Sequence, residues 1–242
     1  MPEASQGTTN IESHDTSADM KLIIGNKNYS SWSLRPWIAM TMAGIPFEET
    51  IIPLYVPGSA EEILQHSPAG KVPVLIDGDT HVWESLAILD YLAELHPGAG
   101  LWPDDRAARA LARSVANEMH AGFLPLRRTC PMNFWLIPKP RAIPDDAVAN
   151  VRRIDAIWAE CVRRSGGPFL FGARFGAADA MYAPVVARFF NYGVAVSSSA
   201  HAYMQAVMAT PAWASWRAAA LKETWVMPNN EPDWPVMERM SA

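Results

Sequence analysis

Cysteine is nearly missing from this 242-residue chain, with only Cys130 and Cys161 present and none in the first 129 residues. No CxxC pair or Cys/His ligand spacing exists, so neither a disulfide framework nor a structural zinc site is expected. Thiol–disulfide exchange by a protein nucleophile in the first half is excluded on the same ground. An excess of positive charge is missing too: the net charge is -5, and the lysines and arginines form no stripe, which argues against nucleic acid as a partner. No apolar run approaches the roughly 20 residues needed to span a membrane. The opening "MPEASQGTTNIESHDTSAD" lacks the basic and apolar regions of a secretion signal. These gaps lead to the expectation of a soluble cytoplasmic protein with no metal and no membrane partner, whose residues 1–18 form a disordered tail.

Half of the residues are hydrophobic, enough to bury a substantial core. From residue 20 the apolar pattern alternates between short β-type runs and helical segments, the mark of a small α/β layer. "KLIIGN" reads as a strand, "SLRPWIAMTMAG" as a helix ending at Gly44, and "FEETIIPL" as a second strand. "SAEEILQH" reads as a helix capped by Ser59 with acids in its first turn. In "KVPVLIDGDTHVWE" two apolar runs flank Asp77, Gly78 and Asp79, which predicts a hairpin. "SLAILDYLAELHPG" then repeats apolar residues at helical spacing and stops near Pro97 and Gly98. The predicted order is β-α-β-α-β-β-α over residues 19–98. Beyond "GAGLWPDD" the strand signals cease. Residues 103–129, 144–165, 177–192, 199–209 and 211–223 favour helix, giving an all-α helical-bundle domain over residues 103–242.

Three stretches carry chemistry. In "AGKVPVL", a cis Val72–Pro73 bond would turn the Val72 N–H and C=O away from the sheet, free to pair with an extended peptide. In "VWESLAILDYL", Glu84 and Ser85 stand at a strand–helix junction. They serve there either as ordinary caps or as a site where helix amides take a carboxylate and Glu84 takes an ammonium group. "NYSSWSLRPW" crowds Ser30, Ser31 and Ser33 at the entrance to the first helix.

Together, the βαβαββα order, "KVPVL" before a hairpin, "ES" opening the next helix and the all-helical second half resemble the cytosolic glutathione transferase family. That resemblance implies a thioredoxin-like first domain that binds glutathione as co-substrate at Lys71, Val72, Pro73, Glu84 and Ser85. "YSSWSLR" is similar to the "SSCS" segment of serine-type classes, zeta above all, which makes Ser30 the catalytic candidate. Counting back from Arg35 under the delta-class pattern lands on Ser31 instead, and Ser33 then reads as the helix N-cap. Trp32 stands where the zeta pattern has cysteine, which puts maleylacetoacetate isomerisation in doubt. "RFGAADAMYAP" resembles the family's buried capping box, with Gly176 in the hydroxyl position, so only the half supplied by Asp179 is expected.

An acceptor pocket for a small electrophile is expected near Met119, Phe123, Met132, Phe134 and Trp135, with Arg127 and Arg128 available to an anionic acceptor. His120 is expected at the surface or in the core, and "TWVMPNNEPDWPVMERM" as a lid. The resemblance further implies a detoxifying, homodimeric enzyme that conjugates, isomerises or reduces its electrophile. A glutathione-fold binding module without transferase activity is the first rival, and a carrier of hydrophobic ligands is the second.

Overall fold

The computed structural model describes residues 20–231 and Met240. The expected tail at residues 1–18, and residues 232–239 of the expected lid, lie outside the described residues. Strand β1 (Met20–Ile24) is central. It pairs in parallel with β2 (Glu48–Ile51) and antiparallel with β3 (Val74–Asp77), which continues through the Gly78 turn into β4 (Thr80–Trp83), for a sheet order β2-β1-β3-β4. Every residue of β1 except Lys21 is buried, which is why its sequence is almost continuously apolar. Gly78 has φ 55, the left-handed backbone that the tight hairpin needs.

The helices α1 (Ser31–Ala43), α2 (Ser59–His66) and α3 (Ser85–Leu95) complete the first layer structure. Two cap expectations are corrected. Helix α1 is capped by Ser30, whose hydroxyl accepts the Ser33 N–H at 3.4 Å, so Ser33 lies inside the first turn. The Ser-x-x-Ser spacing is the spacing that joins an N-cap to its third helical residue. Helix α2 follows Gly58 in the left-handed region, and Ser59 is its first residue, donating to the Val56 carbonyl at 2.8 Å.

The second half is helical: α4 (Arg106–Ala121), α5 (Leu124–Thr129), α6 (Asp145–Ser165), α7 (Ala177–Asn191), α8 (Ser198–Met208) and α9 (Pro211–Lys222). The single helix expected over 103–129 is broken. Phe123 adopts φ 62, and a Cβ at Gly122 would stand 2.7 Å from the Glu118 carbonyl oxygen, so the chain turns where only glycine fits. Helix α7 is buried over nearly its whole length and packs on α4, α8 and, across the two halves, on α1. Trp158 of α6 meets Tyr182, Phe189 and Tyr203 with ring centroids 4.8–5.8 Å apart, anchoring the bundle.

Asp179 holds the entry to α7. Its carboxylate accepts the Gly176 N–H at 2.9 Å and the Leu170 N–H at 3.0 Å. Glycine at 176 has no hydroxyl to reciprocate, and a Cβ there would meet the Leu101 carbonyl at 2.9 Å. Asp179→Ala orphans both amides and is expected to lower stability by roughly 2–4 kcal/mol in urea unfolding. Burial pushes this carboxyl from 3.8 up to about 6. The folded state therefore holds the proton more tightly, so this group's contribution is full below the unfolded value and is lost as pH rises through about 6. Asp179→Asn should remove that slope, and unfolding midpoints measured across this range check it.

Candidate functional site

A cavity of about 620 Å³ opens where α1, the β3 entrance and the start of α3 converge, and Ser30, Trp32, Val72, Pro73, Glu84 and Ser85 line it. Ser31, the rival to Ser30, is not among its lining residues. Ser30 is 7 % exposed and stands at the end of a hydroxyl chain: Gly25 N–H donates to Ser33 Oγ at 3.0 Å, and Ser30 Oγ lies 2.7 Å from Ser33 Oγ. Both ends of that chain are fixed by backbone. In this structure Ser30 Oγ is the donor to Ser33 Oγ, so offering the Ser30 proton to a group in the cavity takes a reversal of the pair, with Ser33 donating to Ser30; the N-terminal end of α1 adds a positive field there. Tyr29 is directed elsewhere, because its phenol donates to Glu231 and its ring packs on Trp135. Burial and the Glu231 carboxylate push its pKa up.

The Val72–Pro73 bond is cis, and Val72 precedes β3, so its backbone groups fall outside the ladder of that strand. Lys71 is exposed at the cavity edge. On the opposite wall Glu84 adopts φ 68, a left-handed backbone that costs a non-glycine residue about 1–3 kcal/mol and marks functional positions. That backbone presents its half-exposed carboxylate to the cavity while its carbonyl accepts the Ile88 N–H at 3.0 Å. Ser85, first residue of α3, is 1 % exposed, and its Oγ has no hydrogen-bond partner among the described residues. A buried hydroxyl beside the open amides of a helix N-terminus is a site prepared for an anion.

Trp32 separates the cavity from a group of arginines. The guanidinium of Arg35 lies 4.1 Å and that of Arg127 4.7 Å from the Trp32 ring centroid. Arg35 is buried between α1 and α7, donating from Nε to the Met181 carbonyl at 3.2 Å. Arg188, also buried, donates to the carbonyls of Cys130 and Arg127. Among the described residues none of the three forms an ion pair, and burial with mutual repulsion lowers the pKa of Arg35 and Arg188. The Arg35 Nη1 and Arg127 Nε atoms are buried without hydrogen-bond partners among the described residues.

His120 packs its ring on Trp32 and places Nε2 3.7 Å from Glu84. Burial first, and then Arg35, hold its pKa below the ordinary value against the pull of Glu84. At neutral pH the imidazole is thus mostly uncharged.

The expected acceptor residues fall differently. Met119, Phe123, Met132, Phe134 and Trp135 are all buried and none lines the cavity; Phe134, for example, meets Trp213 edge-on with ring centroids 5.4 Å apart. They are large and apolar, and the core took them. Arg128 is exposed while Arg127 is not, and His120 belongs to the site's edge rather than to surface or core. Sequence reasoning missed Trp32 as a cavity wall, Arg35 as a buried cation and Tyr55 at the rim. Nothing in the residues flanking Tyr55 marks its φ of 61. The thiols of Cys130 and Cys161 are buried and raised to about 11, so neither is a nucleophile for this cavity. No group of His, Cys, Asp or Glu among the described residues is placed to hold a metal, and no helix there is long and apolar enough to cross a membrane.

Residues 29–95 match the family model of the glutathione S-transferase N-terminal domain, and residues 145–219 that of the C-terminal domain. Glutathione S-transferase 1 of Dianthus caryophyllus is 27% identical over 185 residues, 74% of this chain and 82% of that relative. Maleylacetoacetate isomerase of Rattus norvegicus is 31% identical over 172 residues, 69% of this chain and 78% of the relative. Among solved structures, a Burkholderia glutathione transferase homolog with bound glutathione superposes with a TM-score of 0.64 at 22% identity, covering 84% of this chain and 97% of that one. A glutathione transferase of Methylococcus capsulatus superposes with 0.62 at 28% identity, covering 83% and 98%. The cavity, the βαβαββα layer, the helical half and these matches lead to one conclusion: the chain belongs to the glutathione S-transferase family.

Proposed function

We propose that this protein is an enzyme that binds glutathione in the 620 Å³ cavity, ionises its thiol with Ser30, and adds the thiolate to a small carboxylate-bearing electrophile. The observation that carries the reading is the convergence of Ser30, Val72, Glu84 and Ser85 on one cavity. In this reading the glutathione ammonium pairs with Glu84, and its α-carboxylate takes the Ser85 hydroxyl and the α3 amides. The cysteinyl backbone pairs with Val72 as an added strand, with Lys71 free to meet the far carboxylate. The sulfur then lies toward Ser30.

A thiol of pKa near 8.5 is about 3% ionised at pH 7, and lowering that value by roughly two units needs about 2.7 kcal/mol. A hydrogen bond to a charged acceptor contributes roughly 1.5–3 kcal/mol, so one hydroxyl and the helix field are enough. Serine donates a hydrogen bond to the sulfur and takes no proton away; the thiol proton leaves to solvent water. The thiolate attacks an electrophilic carbon, forming a C–S bond. On a conjugated double bond, addition, rotation and expulsion of the same thiolate give isomerisation with no net redox change. The rat relative's name describes such a reaction, and this route needs no protein thiol, so Trp32 in place of cysteine does not block it.

Arg35 and Arg127 on the Trp32 ring, with Arg188 close enough to Arg35 to repel it, have carbonyl partners but no ion pair among the described residues; they support an acceptor with a carboxylate, since cations without acids leave a positive potential at that wall. Family membership extends the proposal to a twofold homodimer.

Glu84→Ala should weaken glutathione binding by about 1–3 kcal/mol in calorimetry, the cost of one charge-assisted bond; unchanged affinity refutes the assigned anchor. Ser30→Ala should raise the pKa of the bound thiol by roughly one to two units in ultraviolet titration, with binding nearly unchanged, while Ser31→Ala leaves that pKa in place. A parent protein that binds glutathione without depressing its thiol pKa is a binding module, and the enzymatic reading falls. Arg127→Met should raise KM about tenfold for a carboxylate acceptor but not for its methyl ester, about 1.4 kcal/mol of charge recognition; equal effects on both refute the acceptor class.

A further inference from the structure

The six residues between β1 and α1 cannot satisfy their own backbone. Within the turn, the Asn26 carbonyl accepts the N–H groups of Tyr29 at 3.2 Å and Ser30 at 2.8 Å. The N–H groups of Lys27 and Asn28 point outward, and both end on one side chain from the far end of the chain. Glu223, just past the end of α9, takes Lys27 N–H on Oε1 at 2.5 Å and Asn28 N–H on Oε2 at 2.9 Å.

The same helix reaches the loop a second time, through Trp216, whose indole N–H donates to the Lys27 carbonyl at 2.9 Å. Lys27 itself is buried, its ammonium 2.7 Å from Glu49 and resting over the rings of Trp37 and Trp216. Two consecutive amides gripped by the two oxygens of one carboxylate form a rigid, directional clamp.

We infer that Glu223 is a positioning residue for the Ser30 hydroxyl: the helical half of the molecule, through this carboxylate, shapes the turn that aims the serine at the glutathione sulfur. Glu223 is not among the residues that line the cavity, so its action passes through the loop. The inference rests on the reading that Ser30 holds the sulfur. It goes beyond that reading by placing a control of thiolate formation some 195 residues away in sequence.

The sign of the effect separates positioning from direct charge. Removing a nearby carboxylate would lower the pKa of a thiol, because a like charge disfavours the anion. Loss of serine alignment raises it. Glu223→Ala in the full-length protein is therefore expected to raise the bound thiol's pKa by about half a unit or more and to reduce kcat several-fold, with the dissociation constant for glutathione within about twofold of the parent.

Glu223→Gln keeps one acceptor oxygen and the side-chain shape. It is expected to fall between parent and alanine variant, and it carries the test if the alanine variant does not fold. In a Ser30→Ala background, Glu223→Ala should add nothing to the thiol pKa. A lowered melting temperature with unchanged thiol pKa and kcat overturns the inference, as does a shift that persists without Ser30. If Ser30→Ala alone leaves the thiol pKa unmoved, the Ser30 reading itself has failed. If Ser30→Ala moves it and the Glu223 variants do not, only the role of Glu223 has failed.

Discussion

Everything at this site depends on how a five-residue turn, Gly25 to Tyr29, disposes of its backbone hydrogen bonds. A turn between a buried strand and a buried helix has donors that water cannot reach, and each one left unpaired costs about 1–3 kcal/mol. Gly25 gives its N–H to Ser33, which ties the strand end to the first turn of α1. Asn26 accepts the Leu54 N–H through its side chain at 2.8 Å, and Asn28 accepts the Trp135 N–H at 3.1 Å. The partners come from α1, the β2–α2 connection and the helical half. The two halves are thus joined through the groups that shape the turn, and the serine at its end inherits a fixed place.

Electrostatics divides the surroundings of that serine into two sectors. On the Glu84 side a carboxylate faces the cavity beside a mostly uncharged His120. Behind Trp32, cations gather with no acid among the described ion pairs to offset them. A zwitterionic ligand with an ammonium at one end and a developing sulfur anion at the other fits that polarity, whereas a neutral apolar ligand gains nothing from it. The carrier of hydrophobic ligands is disfavoured for the same reason: the aromatic residues that suggested it are buried in the core rather than exposed in a cleft.

Local chemistry was legible in the sequence and distant partners were not. The hairpin at Gly78 and the helix opening at Ser85 follow from residues that sit side by side, so their positions could be read directly. Ser30 was legible as a candidate, yet its cap role went to Ser33, because Ser-x-x-Ser fits either end until the backbone of Ser30 is known. The break at Gly122 was hidden: glycine in a helical pattern is tolerated, and only the approach of the Glu118 carbonyl makes it obligatory. Met119 and Phe123 looked like pocket residues because apolar side chains line pockets and cores alike. Glu223 gave no signal, since a glutamate after a helix is ordinary until the turn it faces is known.

On the proposed reading, the energy required for thiolate formation makes geometry, more than chemistry, the governing constraint at this site. The need is about 2.7 kcal/mol, and a hydroxyl donor aimed at an anion supplies roughly 1.5–3 kcal/mol only when its angle is favourable. The end of a helix adds about 0.3–1 kcal/mol. These contributions match the need with little to spare, so a misaligned serine would leave the thiol mostly protonated. A stronger donor such as a cation in the cavity would relax that demand, but the arginines stand behind Trp32 and act only as a field. Alignment must then come from the scaffold. Ser33 fixes the hydroxyl from within α1, at 2.7 Å, and the turn fixes it from the other side. On the proposed reading a serine without a general base suffices, because Ser33 holds its hydroxyl on one side and the turn clamped by Glu223 holds its backbone on the other.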